Sequence, residues 1–477
     1  MPQFSKAFKL GKTQLELDFI DIPLQTDVWL FIDPFAISQR PDPWSQQAHR
    51  TIMAFFQRIV DYIREGRLDE AKRLLFNLQE PNEIHFGLSK KESAGAGIGP
   101  YQARQLFEAL NGSTAVTTGF LSSLEECELM IEGIGRDKIS DLTANVIRGH
   151  LADYTKQQCD LHGVPVHEVA MPPFFDGDTC TWESKYAWLP VWRHHPILLV
   201  PKAVARRAIA YDHQQYYRHH VLNYLQEDAL AAGSSLVKTL KSGKAVVYKK
   251  DLIKRFPCTK DFLYRFSKDH PEVLGHYRGT LEVLEKSGVN APVDETDERA
   301  IAAVLAEALT AIPGGNARAG EYHCLIVGVI EFLFFPNLLN PKKEKEIHEG
   351  RKRIDILVEN GAREGVLHRL HDVRHLPCAF VPIECKNYTT EIANPELDQL
   401  AGRFSVNRGR FGMMCCRKFE DRALFLKRCQ DTHQDNRGLI VALDDLIILR
   451  LLNYVAAGKR NEIEKELARL IDEVWIG

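Results

Sequence analysis

Two short runs near the C-terminal end constrain this chain more than anything else in it: Arg351-Lys352-Arg353-Ile354-Asp355-Ile356-Leu357-Val358 and Val381-Pro382-Ile383-Glu384-Cys385-Lys386-Asn387. Both are apolar and rich in β-branched residues, the composition of a buried strand, yet both carry charge within them. An unpaired charge is expensive in a sheet interior, so Asp355, Glu384 and Lys386 require partners. The simplest partner for the two acids is a hard divalent cation, which takes carboxylate oxygens. Residues 384 and 386 are two apart and point to one face of a strand. That face holds a carboxylate for the metal and an ammonium for a nearby anion or water.

Other elements flank these runs in a definite order. Glu331 lies in an apolar helical run, 325–335, and Gln399 in the helical stretch 394–400. An apolar run at 411–416, a helical stretch at 421–430 and a second apolar run at 438–443 complete a β-α-β unit. With these residues the span 300–450, about a third of the chain, resembles the PD-(D/E)xK nuclease superfamily and its restriction-endonuclease-like fold. The resemblance implies Asp355 as the first acidic residue of the motif and Glu384-Cys385-Lys386 as its (D/E)-x-K. It also implies Glu331 as the helix glutamate that completes the metal shell, and Gln399 as the glutamine that some branches carry on the next helix.

The implied activity is a metal-dependent endonuclease that hydrolyses phosphodiester bonds, with DNA favoured over RNA. Mg²⁺, or Mn²⁺ in its place, would be held by Asp355, Glu384 and Glu331, with Lys386 stabilising charge on the phosphoryl group or the attacking water. Such nucleases often dimerise, since cutting two strands takes two sites, and a place in bacterial restriction or anti-phage defence suits the layout. Members usually join the two catalytic strands by a short hairpin, whereas Asp355 and Glu384 are 29 positions apart. Residues 361–378 are therefore read as an inserted loop, either a DNA-facing lid or decoration. Each site residue also has a structural explanation: an arginine partner for Asp355, an ion pair for Glu331, a cap or packing role for Gln399. The competing functional class is a nucleic-acid-binding or scaffolding protein that keeps the fold without turnover.

With 477 residues the chain has room for two to four domains, and a net charge of −3 means that any nucleic-acid surface must be local. Residues 238–278 meet that condition, carrying a charge of +7 with aromatic residues interleaved. Lys249, Lys250, Lys254, Arg255 and Lys260 there, with Lys352 and Arg353 at the strand start, are the candidate phosphate contacts. The alternative is a solvated helical face over an aromatic core. Ten cysteines without a C-x-x-C pair, no cleavable leader and no apolar run of about 18 residues lead to the expectation of a cytoplasmic protein without disulfides.

The expected architecture is a multidomain α/β chain. A recognition or regulatory α/β region covers 1–230, with strands at 14–19 and 28–34 and a helical stretch at 47–80. A basic helical segment and linker cover 231–298, and the nuclease domain, a mixed sheet flanked by helices, covers 299–477. Two N-terminal features stand out. The glycine-rich turn at 93–100 has the composition of a phosphate-binding loop or of a flexible turn. Asp137, Asp141 and Asn145 recur every four residues along one helix face, as a ligand stripe or as caps.

Overall fold

The computed structural model describes residues 2–87, 100–242, 244–286, 297–347, 352–390, 392 and 394–477. The first long helix, α1 (Pro43–Arg64), starts where the sequence signals a start: Asp42 accepts from Ser45 N at 2.9 Å, and Pro43 fills a first-turn position that needs no N–H donor. Its apolar residues Ile52, Phe55, Phe56, Ile59 and Ile63 share the buried face. Helices α2 (Leu68–Leu75), α3 (Pro100–Asn111), α4 (Arg136–Val146) and α5 (Arg148–His162) follow. Strands β1 (His167–Ala170) and β2 (Tyr186–Leu189) pair antiparallel. The basic segment forms α6 (Lys249–Arg255), α7 (Lys260–Asp269) and α8 (Pro271–Lys286). One continuous apolar core runs from Phe4 to Leu281, so these basic helices are built into the N-terminal body.

The N-terminal strands expected from alternation are largely absent. Residues Gln14–Glu16 form a 3₁₀ turn closed by Glu16, whose Oε2 accepts from the backbone and the hydroxyl of Thr13, both at 2.9 Å. Of 28–34 only Phe31–Ile32 is a strand, paired with Ala205–Arg206. The alternation of 14–19 reflects burial of Leu17 and Phe19 in the core, with Asp18 buried beside them in a polar contact.

The second body opens with α9 (Glu298–Ala311) and α10 (Ala319–Phe334). Then come β3 (Leu338–Ile347), β4 (Lys352–Asn360), β5 (Phe380–Lys386), α11 (Asn394–Ala401), β6 (Phe411–Cys416), α12 (Arg422–Gln434), β7 (Leu439–Asp444), α13 (Asp445–Ala456) and α14 (Asn461–Trp475). The five strands form one mixed sheet in the order β3-β4-β5-β6-β7. The first two pairings are antiparallel and the last two parallel, with α11 and α12 as the crossovers that parallel neighbours require. Strand β6 is buried along its whole length, which accounts for its unbroken apolar run and for Cys415-Cys416 as packing residues. Among the described residues no helix is long and apolar enough to cross a membrane.

Polar, buried contacts join the two bodies. Lys202 pairs with Glu331 on α10 at 2.8 Å, and both are almost fully buried. Asp18 accepts from Tyr154 Oη at 2.7 Å and from Asn340 N at 3.2 Å. Glu359 on β4 accepts from Lys342 Nζ at 2.6 Å and from the backbone N of Trp44 at 2.8 Å, while the Trp44 ring donates to His150 O at 3.3 Å. Gly328 on α10 allows the close approach here, since a Cβ would run into Lys12 and Glu16.

Candidate functional site

The ladder between β4 and β5 brings the two charged runs together. Ile356 pairs with Ile383, so one step along Asp355 falls opposite Glu384. Asp355 Oδ2 accepts from Cys385 N at 3.0 Å, which places its carboxylate across the strand gap from the E-C-K triplet. Glu384 is fully buried, and its Oε1 accepts from Lys386 Nζ at 2.7 Å. Lys386 reaches its neighbour because i and i+2 share a face of the strand. The group lies at the carboxyl end of β5, where it runs parallel to β6 and β7, the edge at which α/β sheets place their sites.

Two further residues converge there that sequence reasoning missed. Arg403, just beyond α11, forms an ion pair with Glu384 Oε2 and is itself buried. Burial draws its guanidinium below the ordinary value, and the Asp355 carboxylate opposes that shift. The available signal was an arginine immediately after a helix that crosses the sheet. His323 on α10 places Nε2 3.4 Å from Asp355 O, and no motif in the sequence marks it.

Glu331 does not join this group, which corrects its assignment as a metal ligand and catalytic residue. It lies eight residues beyond His323 on α10, about 12 Å along the axis, and its carboxylate meets Lys202 of the other body. Gln399 is exposed on α11, and Arg403 supplies the contact to Glu384 instead. Asp444 and Asp445 end β7 and begin α13. Burial pushes the Asp445 carboxyl up to about 6, against the pull of Arg417 at 3.2 Å.

Asp355, Glu384, Lys386 and Arg403 balance as two acids and two bases. The donor set fits Mg²⁺, which takes one or two carboxylates and completes its shell with water and phosphate oxygens. Asp355 Oδ1 accepts no hydrogen bond among the described residues, whereas both Glu384 oxygens face cations. Three carboxylate, cysteine or histidine side chains do not converge as a ready-made cage anywhere among the described residues. A divalent ion at the two acids would turn a neutral cluster into a positive one, matched to an anionic ester.

The basic surface divides. Lys250, Lys254 and Arg255 are exposed, and Lys249 is half-buried with its Nζ donating to Arg218 O at 2.7 Å. Lys260 is buried and donates to Ile134 O, so it is a structural residue and not a phosphate contact. Lys352 and Arg353 open β4, and their side chains lie outside the described residues. The insertion after β4 is tied to both bodies, through Arg374 to Asp472 at 2.7 Å and Arg363 to Glu285 at 3.5 Å. The glycine-rich turn at 93–100 and the linker before 298 lie almost wholly outside the described residues. Asn145 serves the fold: it binds the backbone of Gln79 and accepts from Arg148 at 3.0 Å.

Residues 9–212 match a family model described as a domain of unknown function (DUF8370). The matched span ends well before the mixed sheet and its charged cluster. No curated protein and no solved structure matches the chain.

Proposed function

We propose that the chain is a metal-dependent nuclease whose active site is Asp355, Glu384 and Lys386 in a restriction-endonuclease-like sheet, with DNA as the favoured substrate. The observation that carries this reading is the register of β4 on β5, which sets Asp355 opposite Glu384 with Lys386 on the same strand face. Asp355 and Glu384 would hold Mg²⁺ or Mn²⁺. When bound, such an ion supplies Lewis acidity at the phosphoryl group and lowers the pKa of a coordinated water. Lys386 donates to the phosphate oxygens where negative charge builds up, inside a site walled by buried strand residues. Arg403 holds the Glu384 carboxylate in place. The exposed cations of α6 draw the nucleic-acid backbone to the protein without reading its sequence.

A second reading, a nucleic-acid-binding protein that keeps this cluster without turnover, is favoured by one observation: both Glu384 oxygens are already neutralised by Lys386 and Arg403. The deciding experiment is cleavage of plasmid and single-stranded nucleic acid with Mg²⁺ or Mn²⁺, wild type beside Lys386→Ala and Glu384→Ala. Metal-dependent cutting that disappears in both variants supports the nuclease. Tight binding with no cutting by the wild type supports the second reading, and cutting that survives both substitutions moves the active site elsewhere.

A further inference from the structure

A cavity of about 680 Å³ lies in the N-terminal body, far along the chain from the charged strands. It is lined by α1, α5, residues 174–178 and β2, and its size falls in the range of small-molecule sites. Its floor is ordered: Thr51 Oγ1 and His150 Nε2 are 2.9 Å apart, and Phe175 packs edge-on against Phe55 at 5.0 Å. Above the floor stand two aromatic rings that the fold does not cover. Tyr186 is 71 % exposed and Trp188 50 % exposed, while Ala187 and Leu189 between and beyond them are buried. Positions 186 and 188 share one face of β2, so the two rings stand side by side on the cavity wall.

Two adjacent exposed aromatic rings beside a concave floor make a stacking platform. The rim adds charge of both signs. Arg50, Lys156 and Lys185 are the cations; Lys156 is paired with Asp160 at 2.6 Å and Lys185 with Glu183 at 2.5 Å, whereas Arg50 makes no ion pair among the described residues. Asp153, which lies near Lys156 and Lys185, is an acceptor in the lining. Its neighbours Asp176 and Asp178 bring the acids to three, equal to the bases. A strand of nucleic acid needs an excess of positive charge along its track, and this rim has none. A single nucleotide needs one π-face, a cation for its phosphate and an acceptor for its amino or hydroxyl groups, and all three line this cavity.

We propose that this cavity binds a free mononucleotide, its base stacked on Trp188 and Tyr186, its phosphate at Arg50, and Asp153 accepting from its polar hydrogens. The site is independent of the cleavage reading, because none of its residues belongs to the strand cluster. The test is titration calorimetry of the full-length protein with AMP, GMP, CMP and UMP up to millimolar concentration, with inorganic phosphate as control. Wild type should bind at least one nucleotide saturably at one site per chain. Trp188→Ala should weaken it by about tenfold or more, the loss expected from one stacked base. Arg50→Glu should weaken the nucleotide but leave affinity for the matching nucleoside unchanged. Thermal melts establish that both exposed-site variants remain folded. No saturable binding by folded wild type overturns the proposal. So does binding that both substitutions leave intact, or a site that takes inorganic phosphate as well as any nucleotide.

Discussion

Two clusters of buried acids and bases lie toward opposite ends of helix α10, and they use the same side chains for different ends. Near His323, Asp355 and Glu384 meet Lys386 and Arg403, all from the sheet body, and the side chain of Lys386 retains 13 % exposure. Near Glu331, Asp18 and Lys202 come from the N-terminal body, and the Lys202 side chain retains only 2 %. The first group sits at a strand end that solvent reaches, and its charges can be re-partnered by an incoming ion or anion. The second is sealed between two cores and can only hold them together. Residue type and burial alone do not separate a proposed site from a clamp. Which body supplies each group, and whether water reaches it, does.

The contrast is broken most directly by removing one charge from each cluster. Lys202→Ala leaves Glu331 and Asp18 buried without their cation, and a loss of about 3–5 kcal/mol is expected in urea unfolding. Lys386→Ala should cost about 2.7–4 kcal/mol of barrier, a hundredfold or more in cleavage rate, with the unfolding midpoint nearly unchanged. If Lys386→Ala unfolds the protein as readily as Lys202→Ala does, the two clusters are both clamps and the contrast fails. Glu331→Gln sharpens it further: a stability loss of about 1–3 kcal/mol from the unpaired lysine, with metal-dependent cleavage retained. Cleavage lost in a folded Glu331→Gln protein would return this residue to the active site.

The sealed cluster also predicts a pH signature. Burial, reinforced by Glu331, pushes the Asp18 carboxyl up to about 7, against about 3.9 in an unfolded chain. The folded state therefore holds a proton that the unfolded state has lost, and stability from this group falls as pH rises from about 4 to about 7. Asp18→Asn should flatten that part of the stability profile in urea titrations at several pH values. The smallest effect belongs to the open surface. Replacing Lys250, Lys254 and Arg255 together by Ala should lower the slope of log affinity against log salt by about 2–3, with little change in stability. A slope that stays put would remove α6 from the nucleic-acid path.

The sheet was the legible part of this chain. Strands β5, β6 and β7 and helix α12 fall where the apolar runs and the helical stretch place them, because strands buried on both faces read as unbroken apolar stretches. The convergence of Asp355, Glu384 and Lys386 was legible too, since two charged strands in succession have few ways to pair. Glu331 was not, because α10 is apolar on nearly every side and gives no hint of which neighbour its one buried acid meets. Arg403 and Lys260 became buried cations through long-range packing that local composition does not encode. The strand expected at 14–19 gave way to a 3₁₀ turn because Thr13 and Glu16 close on each other and the surrounding core, not a sheet, takes up Leu17 and Phe19.

Trp44 ties the two bodies through its backbone N, which donates to Glu359, while its ring donates within its own body to His150 O. The bridge bears on ancestry. A recombination event that moved the sheet body onto a different N-terminal partner would strand Glu331 as a buried anion without Lys202, and would remove the Trp44 N–H from Glu359. The two halves are therefore expected to have been inherited together and to drift as a pair, a change at Lys202 in one lineage being answered by a change at Glu331 across the seam.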